Sequence, residues 1–368
     1  MPRTRTDSYD VVFYIPTIAP LLADDSRQPP GGAETQVRLL TRALVASGVR
    51  VAVVAFDYPG LPNEDQGVAV VRRPPHQVGP VAEARTILST LRNTPSRVVV
   101  TRQAGAHTGL VALAAKITRR RFVYSAANVI DFQFSSFETH RAKVLLFETG
   151  LRLADSIVAQ TQEQQELCAS KLGRTPPVIR SLAEPAPLRT AVPEAFLWAG
   201  RVLDYKQPLA YVELARSLPD VPFWMVAVPD DAMESGKLLL SRLSHEAASV
   251  ANLHLLAPCS RPELLELMCR AAAVVSTSSS EGMPNIFLEA WSRGIPALTL
   301  EHDPDSLIRR HALGTACQGR MSDLRAATEQ TWLTRHDQKA LSTRCRAYVS
   351  AEHSPDAVAG KWREILEV

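Results

Sequence analysis

Short apolar runs alternate along the chain with longer segments whose apolar positions recur at helical spacing. In the first half, the apolar runs are Val11–Ile15, Val49–Ala55, Val98–Thr101, Phe122–Ser125 and Ser156–Ala159, and the helical segments are Ala33–Ser47, His107–Thr118 and Arg141–Ala154. Strands that are buried on both faces are continuous apolar runs, and parallel strands need crossover helices between them. The pattern therefore predicts an α/β fold with a parallel sheet covered by helices on both faces.

The alternation stops between residues 175 and 193, a stretch with five prolines. Proline at this density interrupts helix interiors and sheet ladders, so the stretch predicts a linker. After it, the strand-like runs are Ala195–Ala199, Phe223–Val228, His254–Leu256, Val274–Ser276 and Ala297–Leu300, and the helical segments are Pro208–Leu218, Ser235–Ala248, Pro262–Ala272 and Asn285–Arg293. This repetition predicts two successive βα domains.

A length of 368 residues also suits two domains, since a domain usually holds about 100–200 residues. We place a first Rossmann-like domain at 1–180, a linker at 181–194, a second Rossmann-like domain at 195–350 and a final helix at 351–368. Ser354 would be the N-cap of this helix, with Pro355 at its first position. Two such domains are expected to face a central cleft that binds a ligand.

Composition and charge narrow the class of protein. The chain is 46% hydrophobic and 21% charged, which excludes a disordered protein, a coiled coil and a collagen-like fibre. A net charge of +3 is too balanced to indicate nucleic acid as the main partner. Residues 1–190 carry +7 and residues 191–368 carry −4. The positive half would suit an anionic partner, although an ordinary solvated surface is the simpler interpretation.

Five cysteines, an odd number with no CxxC pair, argue against a disulfide framework or a cysteine zinc site and favour a reducing cytoplasm. The apolar run Val11–Ala23 is shorter than the roughly 20 residues that a spanning helix needs. Acidic residues on both sides of this run argue against a signal peptide. It predicts a first buried strand that leads into a loop.

The most specific segment runs from Ser276 to Ala297 and has the order strand, polar loop, helix, glycine stop, strand. Glu281 lies in the loop, and Glu289 lies eight residues further, in the helix. The first turn of a helix offers unpaired N–H groups to a phosphate, and carboxylates beside it suit sugar hydroxyls. A loop carboxylate and a helix-surface carboxylate without function would give the same pattern, so both interpretations stay open at this point.

Two further segments fit an anion site. Arg201 and Lys206 follow the end of the first strand of the second domain, where basic side chains could hold phosphate oxygens. Gly31 and Gly32 precede a helix in the first domain, as a backbone nest for an anion would. Taken singly, solvated basic residues and an ordinary turn explain them as well.

Together these segments resemble the retaining family 4 glycosyltransferases, which have the GT-B fold, and the resemblance covers nearly the whole chain. The matching residues are Gly31-Gly-Ala-Glu in the glycine-rich loop, Gly200-Arg with Lys206 in the phosphate clamp, Glu281-Gly-Met-Pro-Asn-Ile-Phe-Leu-Glu289 in the Glu-x7-Glu motif, and Gly294-Ile-Pro after it. Their order along the chain makes chance agreement improbable.

The resemblance implies a role for each matching residue. Arg201 and Lys206 would bind the diphosphate of a nucleotide-sugar, Glu281 would hold the hydroxyls of the donor sugar, and these three would act in the reaction. Glu289 would bind the ribose. The backbone that would line the same site comprises Gly282, Met283, Pro284, Asn285 and Ile286, and Gly31 and Gly32 would approach the diphosphate or the acceptor from the first domain.

By the same resemblance, the first domain would bind the acceptor and the second the donor, and the last helix would cross back to the first domain. The donor would be a UDP- or GDP-sugar, and the acceptor a small molecule, a glycan or a lipid-linked sugar. No metal or other cofactor would be needed, because Arg201, Lys206 and a helix N-terminus stabilise the departing diphosphate. Asp303 and Asp305 form a DxD sequence, which we interpret as a pair of loop carboxylates.

One departure from the family concerns the donor sugar. Family members often carry a histidine after a strand of the first domain, and the matching stretch from Phe122 to Asp131 has none. Asn128 or Asp131 could supply the missing hydrogen bond. His107 is the nearest histidine and a weaker candidate for the same cleft.

Two other functions stay open: a sugar-nucleotide epimerase on the same scaffold, and a catalytically silent partner subunit that binds sugar-nucleotides. The expected location is the cytoplasm. The cluster Arg119-Arg120-Arg121 would allow a weak association with the inner face of a membrane, although cations that complement a helix C-terminus explain it more simply.

Overall fold

The computed structural model describes residues 8–25, 31–76, 79–133, 140–229 and 234–368. They divide into two compact units, residues 1–182 together with 355–368, and residues 183–354. Each unit is an α/β layer structure around its own sheet.

The first unit contains a seven-stranded sheet in the order β3-β4-β2-β1-β5-β6-β7. Its strands are β1 (Tyr9–Tyr14), β2 (Val51–Phe56), β3 (Glu64–Asp65), β4 (Val68–Arg73), β5 (Ser96–Thr101), β6 (Arg121–Ser125) and β7 (Ser156–Val158). Every pairing is parallel except that of the short edge strand β3 with β4.

Helices cover both faces of this sheet. They are α1 (Ala19–Leu22), α2 (Gly32–Ala46), α3 (Pro80–Asn93), α4 (Ala106–Ile117), α5 (Arg141–Leu153) and α6 (Gln162–Leu172), with 3-10 turns at Pro16–Ile18 and Val129–Phe132. Successive side chains of a strand point to opposite faces. Accordingly Val11 and Phe13 belong to one buried cluster, and Val12 and Tyr14 belong to another.

The last helix of the chain completes the first of these clusters. It spans Pro355–Leu366, and Val358 and Trp362 on its buried face pack into the cluster that contains Phe13. The rings of Phe13 and Trp362 lie 6.3 Å apart. Residues 355–368 therefore belong to the first unit although they follow the second in sequence.

The second unit contains a six-stranded parallel sheet in the order β10-β9-β8-β11-β12-β13. Its strands are β8 (Ala195–Arg201), β9 (Phe223–Val228), β10 (Leu253–Leu256), β11 (Ala271–Ser276), β12 (Ala297–Thr299) and β13 (Gly314–Ala316). This third-second-first-fourth-fifth-sixth order is that of a dinucleotide-binding doubly wound sheet.

Helices of the second unit pack on both sides of the sheet. They are α7 (Pro208–Ser217), α8 (Glu234–Ala248), α9 (Arg261–Cys269), α10 (Asn285–Ser292), α11 (Leu307–His311), α12 (Met321–Leu333) and α13 (Lys339–Glu352), with 3-10 turns at Asp204–Lys206 and Pro304–Ser306; the last helix, in the first unit, is α14. Within the described ranges, no helix is both long and apolar enough to cross a membrane.

The α/β fold class is confirmed, and several boundaries differ from the sequence-based predictions. The helix predicted at Pro262–Ala272 is wrong at its end, because Ala271 begins β11 and pairs with Ala195. The elements that the local sequence pattern did not predict are β3, β4, β13, α1, α3, α6, α11, α12 and α13. Residues 183–194, expected to be a linker, group with the second unit, where the N–H of Ala183 donates to the carbonyl of His353 at 2.9 Å.

Candidate functional site

The residues singled out in the second half of the sequence meet at one edge of the second sheet. In a doubly wound sheet, ligands bind outside the carboxyl ends of the strands, where the strand order reverses. Here the reversal lies between β8 and β11, which are neighbours in the sheet. Arg201 is the last residue of β8, and the loop that carries Glu281 follows β11.

Hydrogen bonds join the two loops that leave these strands. The indole N–H of Trp198 donates to Thr277 Oγ1 at 3.0 Å, and Thr277 Oγ1 donates to the carbonyl of Lys206 at 2.7 Å. The N–H of Ser279 donates to the carbonyl of Tyr205 at 2.8 Å. The 3-10 turn Asp204–Lys206 is thus fixed against the polar loop of the Glu-x7-Glu segment.

Lys206 and Glu281 form an ion pair within this arrangement. Lys206 Nζ contacts Glu281 Oε1, and the hydroxyl of Ser278 donates to the same oxygen at 3.1 Å. The lysine side chain is 21% exposed and the glutamate side chain 11% exposed. A carboxylate so little exposed needs a nearby cation, and Lys206 supplies it.

Arg201 contrasts with Lys206, because it is exposed and makes no ion pair with the residues that the structure describes. Its charge is therefore available to a ligand. A guanidinium offers several donors in a planar fork that matches the oxygens of a phosphate.

The start of α10 supplies backbone donors. Pro284 is its N-cap residue, and the proline side chain cannot cap the helix. Gly282, Met283 and Pro284 are buried, and His302 Nε2 lies 3.3 Å from the carbonyl oxygen of Gly282. The first turn, including Asn285 and Ile286, thus presents a positive helix end in a loop that its neighbours hold in place.

Glu289 lies further along α10 and has a partner that sequence analysis missed. Arg261 Nη1 is 2.7 Å from Glu289 Oε1, and Arg261 Nη2 is 3.3 Å from Glu184 Oε2. Burial raises the pKa of Glu289, and the positive charges of Arg261 and Arg293 oppose that shift. The available signal was Ser260-Arg-Pro-Glu263, a capping box that starts α9 at Arg261, after β10.

The DxD aspartate Asp303 acts locally as a cap. Its Oδ1 accepts from the N–H of Ile308 at 2.9 Å, and its Oδ2 lies 3.3 Å from Arg309 Nε. The carboxylate therefore serves the start of α11, as an acidic group at a helix N-terminus commonly does.

In the first unit, Gly31 is the N-cap residue of α2, and Gly32 is the first residue of this helix. Gly31 has no side chain with which to cap this end. Glu34, in the first turn, accepts a 2.6 Å hydrogen bond from the hydroxyl of Thr17. The two prolines that precede Gly31 in the glycine-rich motif lie outside the described residues.

The residues proposed to replace the family histidine serve the local fold. Asn128 is the N-cap residue of the turn Val129–Phe132 and forms a capping box with Asp131. Asp131 is buried and accepts from the Tyr124 hydroxyl at 3.0 Å and from the N–H of Ala127 at 2.6 Å. Burial raises the pKa of Asp131, although these hydrogen bonds oppose the rise. The carboxylate is engaged inside the first unit.

His107 lies in the first turn of α4, just beyond the carboxyl end of β5. Its side chain is 18% exposed, and Nδ1 is 3.4 Å from Glu83 Oε1. Burial lowers the pKa of His107 to about 4, so the ring is neutral at pH 7. Glu83 also contacts His76 and Arg73.

The arginine cluster is largely engaged in contacts within the first unit. Arg120 donates to the carbonyl of Thr94 at 2.6 Å. Arg121 donates to the carbonyl of Ile365 at 3.2 Å and forms a 3.0 Å ion pair with Glu367. Arg119 alone of the three is exposed.

Comparisons with known proteins agree with this fold. Residues 30–180 match the model of Glycosyltransferase Family 4. The chain is also similar to solved structures of low sequence identity, among them Anabaena HepE in complex with UDP and glucose, which is 14% identical with a TM-score of 0.75 over 98% of this chain and 99% of that one. Sucrose-phosphate synthase from Thermosynechococcus elongatus is 13% identical with a TM-score of 0.73 over 97% of this chain and 98% of that one. Staphylococcus aureus TarM is 8% identical with a TM-score of 0.76 over 98% of this chain and 100% of that one. No curated protein matches the sequence.

The solved structures show the fold, which is that of the GT-B glycosyltransferases. The family match shows a glycosyltransferase domain in the first unit. The protein is therefore an enzyme of the glycosyltransferase class.

Proposed function

We propose that the protein is a retaining glycosyltransferase that moves a sugar from a UDP- or GDP-sugar to an acceptor without a metal ion. The observation that carries this proposal is the arrangement of residues at the carboxyl ends of β8 and β11. An exposed Arg201, the Lys206–Glu281 pair and the start of α10, whose N-cap residue is a proline, lie at the carboxyl ends of the strands of a dinucleotide-binding sheet.

In this proposal, Arg201 and the N-terminus of α10 bind the diphosphate. Lys206 pairs with Glu281 in the structure, and binding of the donor would turn its ammonium group toward the diphosphate. Glu281 is then available to the hydroxyls of the donor sugar. Glu289, oriented by Arg261, accepts hydrogen bonds from the ribose.

The reaction requires stabilisation of charge. The bond between the anomeric carbon and the phosphate oxygen breaks, leaving positive character on the sugar and negative charge on the diphosphate. The acceptor hydroxyl attacks from the face that the diphosphate leaves, and its proton passes to a phosphate oxygen. Arg201, Lys206 and the helix dipole stabilise the leaving group, so neither glutamate acts as the nucleophile of a retaining glycosidase.

A uridine nucleotide is the first donor to test, because the HepE structures are described as complexes with UDP or UDP-glucose. The acceptor is assigned to the first unit and is a small molecule, a glycan or a lipid-linked sugar. The five cysteines without a CxxC pair favour work in the reducing cytoplasm. Contact with a membrane surface has little support, since two of the three clustered arginines have partners within the fold.

Release of nucleoside diphosphate tests the proposal. We expect UDP or GDP to appear only when donor and acceptor are both present, at an unchanged rate in EDTA. A sugar-nucleotide epimerase would convert the donor without an acceptor, and a silent binding subunit would gain thermal stability with nucleotide but release none. Inversion at the anomeric carbon of the product would refute the retaining mechanism.

A further inference from the structure

Two histidines of the first unit converge on one carboxylate oxygen of Glu83. His76 follows β4, Glu83 lies in α3, and His107 lies in the first turn of α4. One ligand atom from each lies within 4.8 Å of the other two. All three lie beyond the carboxyl ends of parallel strands, the edge at which doubly wound sheets bind ligands.

The two distances from Glu83 match the edges of a tetrahedral metal site. Glu83 Oε1 is 3.1 Å from His76 Nδ1 and 3.4 Å from His107 Nδ1. Ligand atoms bound to zinc at about 2.1 Å in tetrahedral geometry are themselves about 3.4 Å apart. Two of the three edges therefore match, and the two histidine nitrogens, at most 4.8 Å apart, are close enough to approach one ion.

The environment of His107 leaves its ring available. Its side chain is 18% exposed, and Nε2 is buried with no hydrogen-bond partner among the described residues. Because Nε2 has no hydrogen-bond partner there, no contact fixes the tautomer of the ring, and Nδ1, which faces Glu83, is the nitrogen that would bind the ion. The ring is held by packing, with Tyr14 at 5.7 Å and His76 at 5.1 Å between ring centroids.

Arg73 must be included in the charge balance. Its Nη1 and Nη2 donate to the two oxygens of Glu83 at 2.7 and 3.0 Å. A carboxylate oxygen can accept from Arg73 on one lone pair and bind a metal on the other, and ligating carboxylates are commonly hydrogen-bonded in this way. The guanidinium also places a positive charge near the ion, which lowers the affinity below that of the same ligands without it.

We propose that His76, Glu83 and His107 form a binding site for a divalent transition metal ion, with zinc as the expected occupant. Two imidazoles and a carboxylate are ligands that zinc prefers, and three protein ligands leave a fourth position for water. Entry is from the side of His76, which is 57% exposed. The site lies in the first unit and does not depend on the glycosyl transfer proposed above, which remains a step without metal.

Metal analysis of the tag-free, full-length protein after equilibrium dialysis against zinc tests the site. We expect one zinc ion per chain in the wild type and at least a tenfold weaker affinity in His76→Ala, since an exposed histidine can be removed without disturbing the core. The matched control is His254→Ala, an exposed histidine of the second unit, which should bind as the wild type does.

Cobalt as a spectroscopic probe distinguishes ligation from non-specific binding. Cobalt bound to the wild type should show the strong visible absorption of a tetrahedral cobalt site, and this absorption should be lost in both His76→Ala and His107→Gln. Substoichiometric zinc in the wild type, or equal affinity in His76→Ala and His254→Ala, would overturn the proposal. These experiments measure bound metal and not nucleotide release, so a negative result would not affect the transferase proposal. Likewise, failure of the transferase proposal would not affect the metal site.

Discussion

Replacement of Lys206 by methionine removes a charge that has two roles in this account. In the ligand-free protein it neutralises Glu281, and during the reaction it stabilises the departing diphosphate. The two effects should separate, because the first concerns stability and the second concerns turnover.

The exposures of the two side chains set the expected size of the stability effect. Breaking a fully buried ion pair from one side costs about 3–5 kcal/mol, and an exposed pair contributes about 0.2–1 kcal/mol. With exposures of 21% and 11%, the Lys206–Glu281 pair lies between these limits, and we expect Lys206→Met to lose about 1–3 kcal/mol. For a unit of this size, each kcal/mol lowers Tm by about 2–4 °C.

Turnover should fall by about 10²- to 10³-fold, which is the usual loss when one preorganised donor to a developing charge is removed. The informative variant is the double substitution Lys206→Met with Glu281→Gln. It should recover most of the lost stability, since no buried charge is left unpaired, and it should recover none of the turnover. Lys339→Met, at an exposed lysine of the same unit, is the control for loss of a positive charge.

The assays are thermal unfolding and nucleotide release at saturating donor. If Lys206→Met turns over within about threefold of wild type, Lys206 does not stabilise the leaving group. If the double variant is no more stable than the single one, the pair seen in the structure is not coupled in solution.

Three further predictions follow from contacts outside this pair. Glu289→Gln should weaken UDP binding about tenfold by calorimetry, since a neutral amide accepts weaker hydrogen bonds from ribose than a carboxylate does; unchanged affinity would remove Glu289 from the ribose site. UDP binding weakens when Glu289 becomes protonated, and in Arg261→Gln this should happen at a higher pH. The reason is that loss of the Arg261 cation lets the already raised pKa of Glu289 rise further. An unchanged pH profile of UDP binding would contradict this. Gly109→Ala should destabilise the first unit by about 1–3 kcal/mol, since a Cβ there would lie 2.1 Å from the carbonyl oxygen of Leu146, whereas Gly360→Ala, with open space in α14, should be neutral or slightly stabilising.

Much of the fold follows from local sequence pattern. Continuous apolar runs such as Val98–Thr101 can be recognised without tertiary information, because both faces of a central parallel strand are buried. The strand Val68–Arg73 was missed because two arginines end its short apolar run and no helical segment was recognised after it. One of them, Arg73, is buried and paired with Glu83, a contact that only the folded chain reveals.

The candidate site divides in the same way. The Glu281–Glu289 segment was recognisable because its residues lie on one loop and one helix. The contacts of Lys206 with Glu281 and of Arg261 with Glu289 join residues far apart in sequence, so spacing could not show them. Asn128 and Asp131 were plausible replacements for a missing histidine by position, but burial and capping engage them within the fold. The cysteine count argued against a zinc site, but it carries no information about histidines.

In the proposed function, a nucleoside diphosphate binds at the carboxyl ends of β8 and β11 in the second unit. Isothermal titration of UDP and GDP into the wild type and into Arg201→Ala, with EDTA present, tests it most directly. We expect saturable binding of one nucleotide per chain and at least a tenfold loss of affinity in the variant. Equal affinity in both proteins, or no binding of either nucleotide to the wild type, would contradict it.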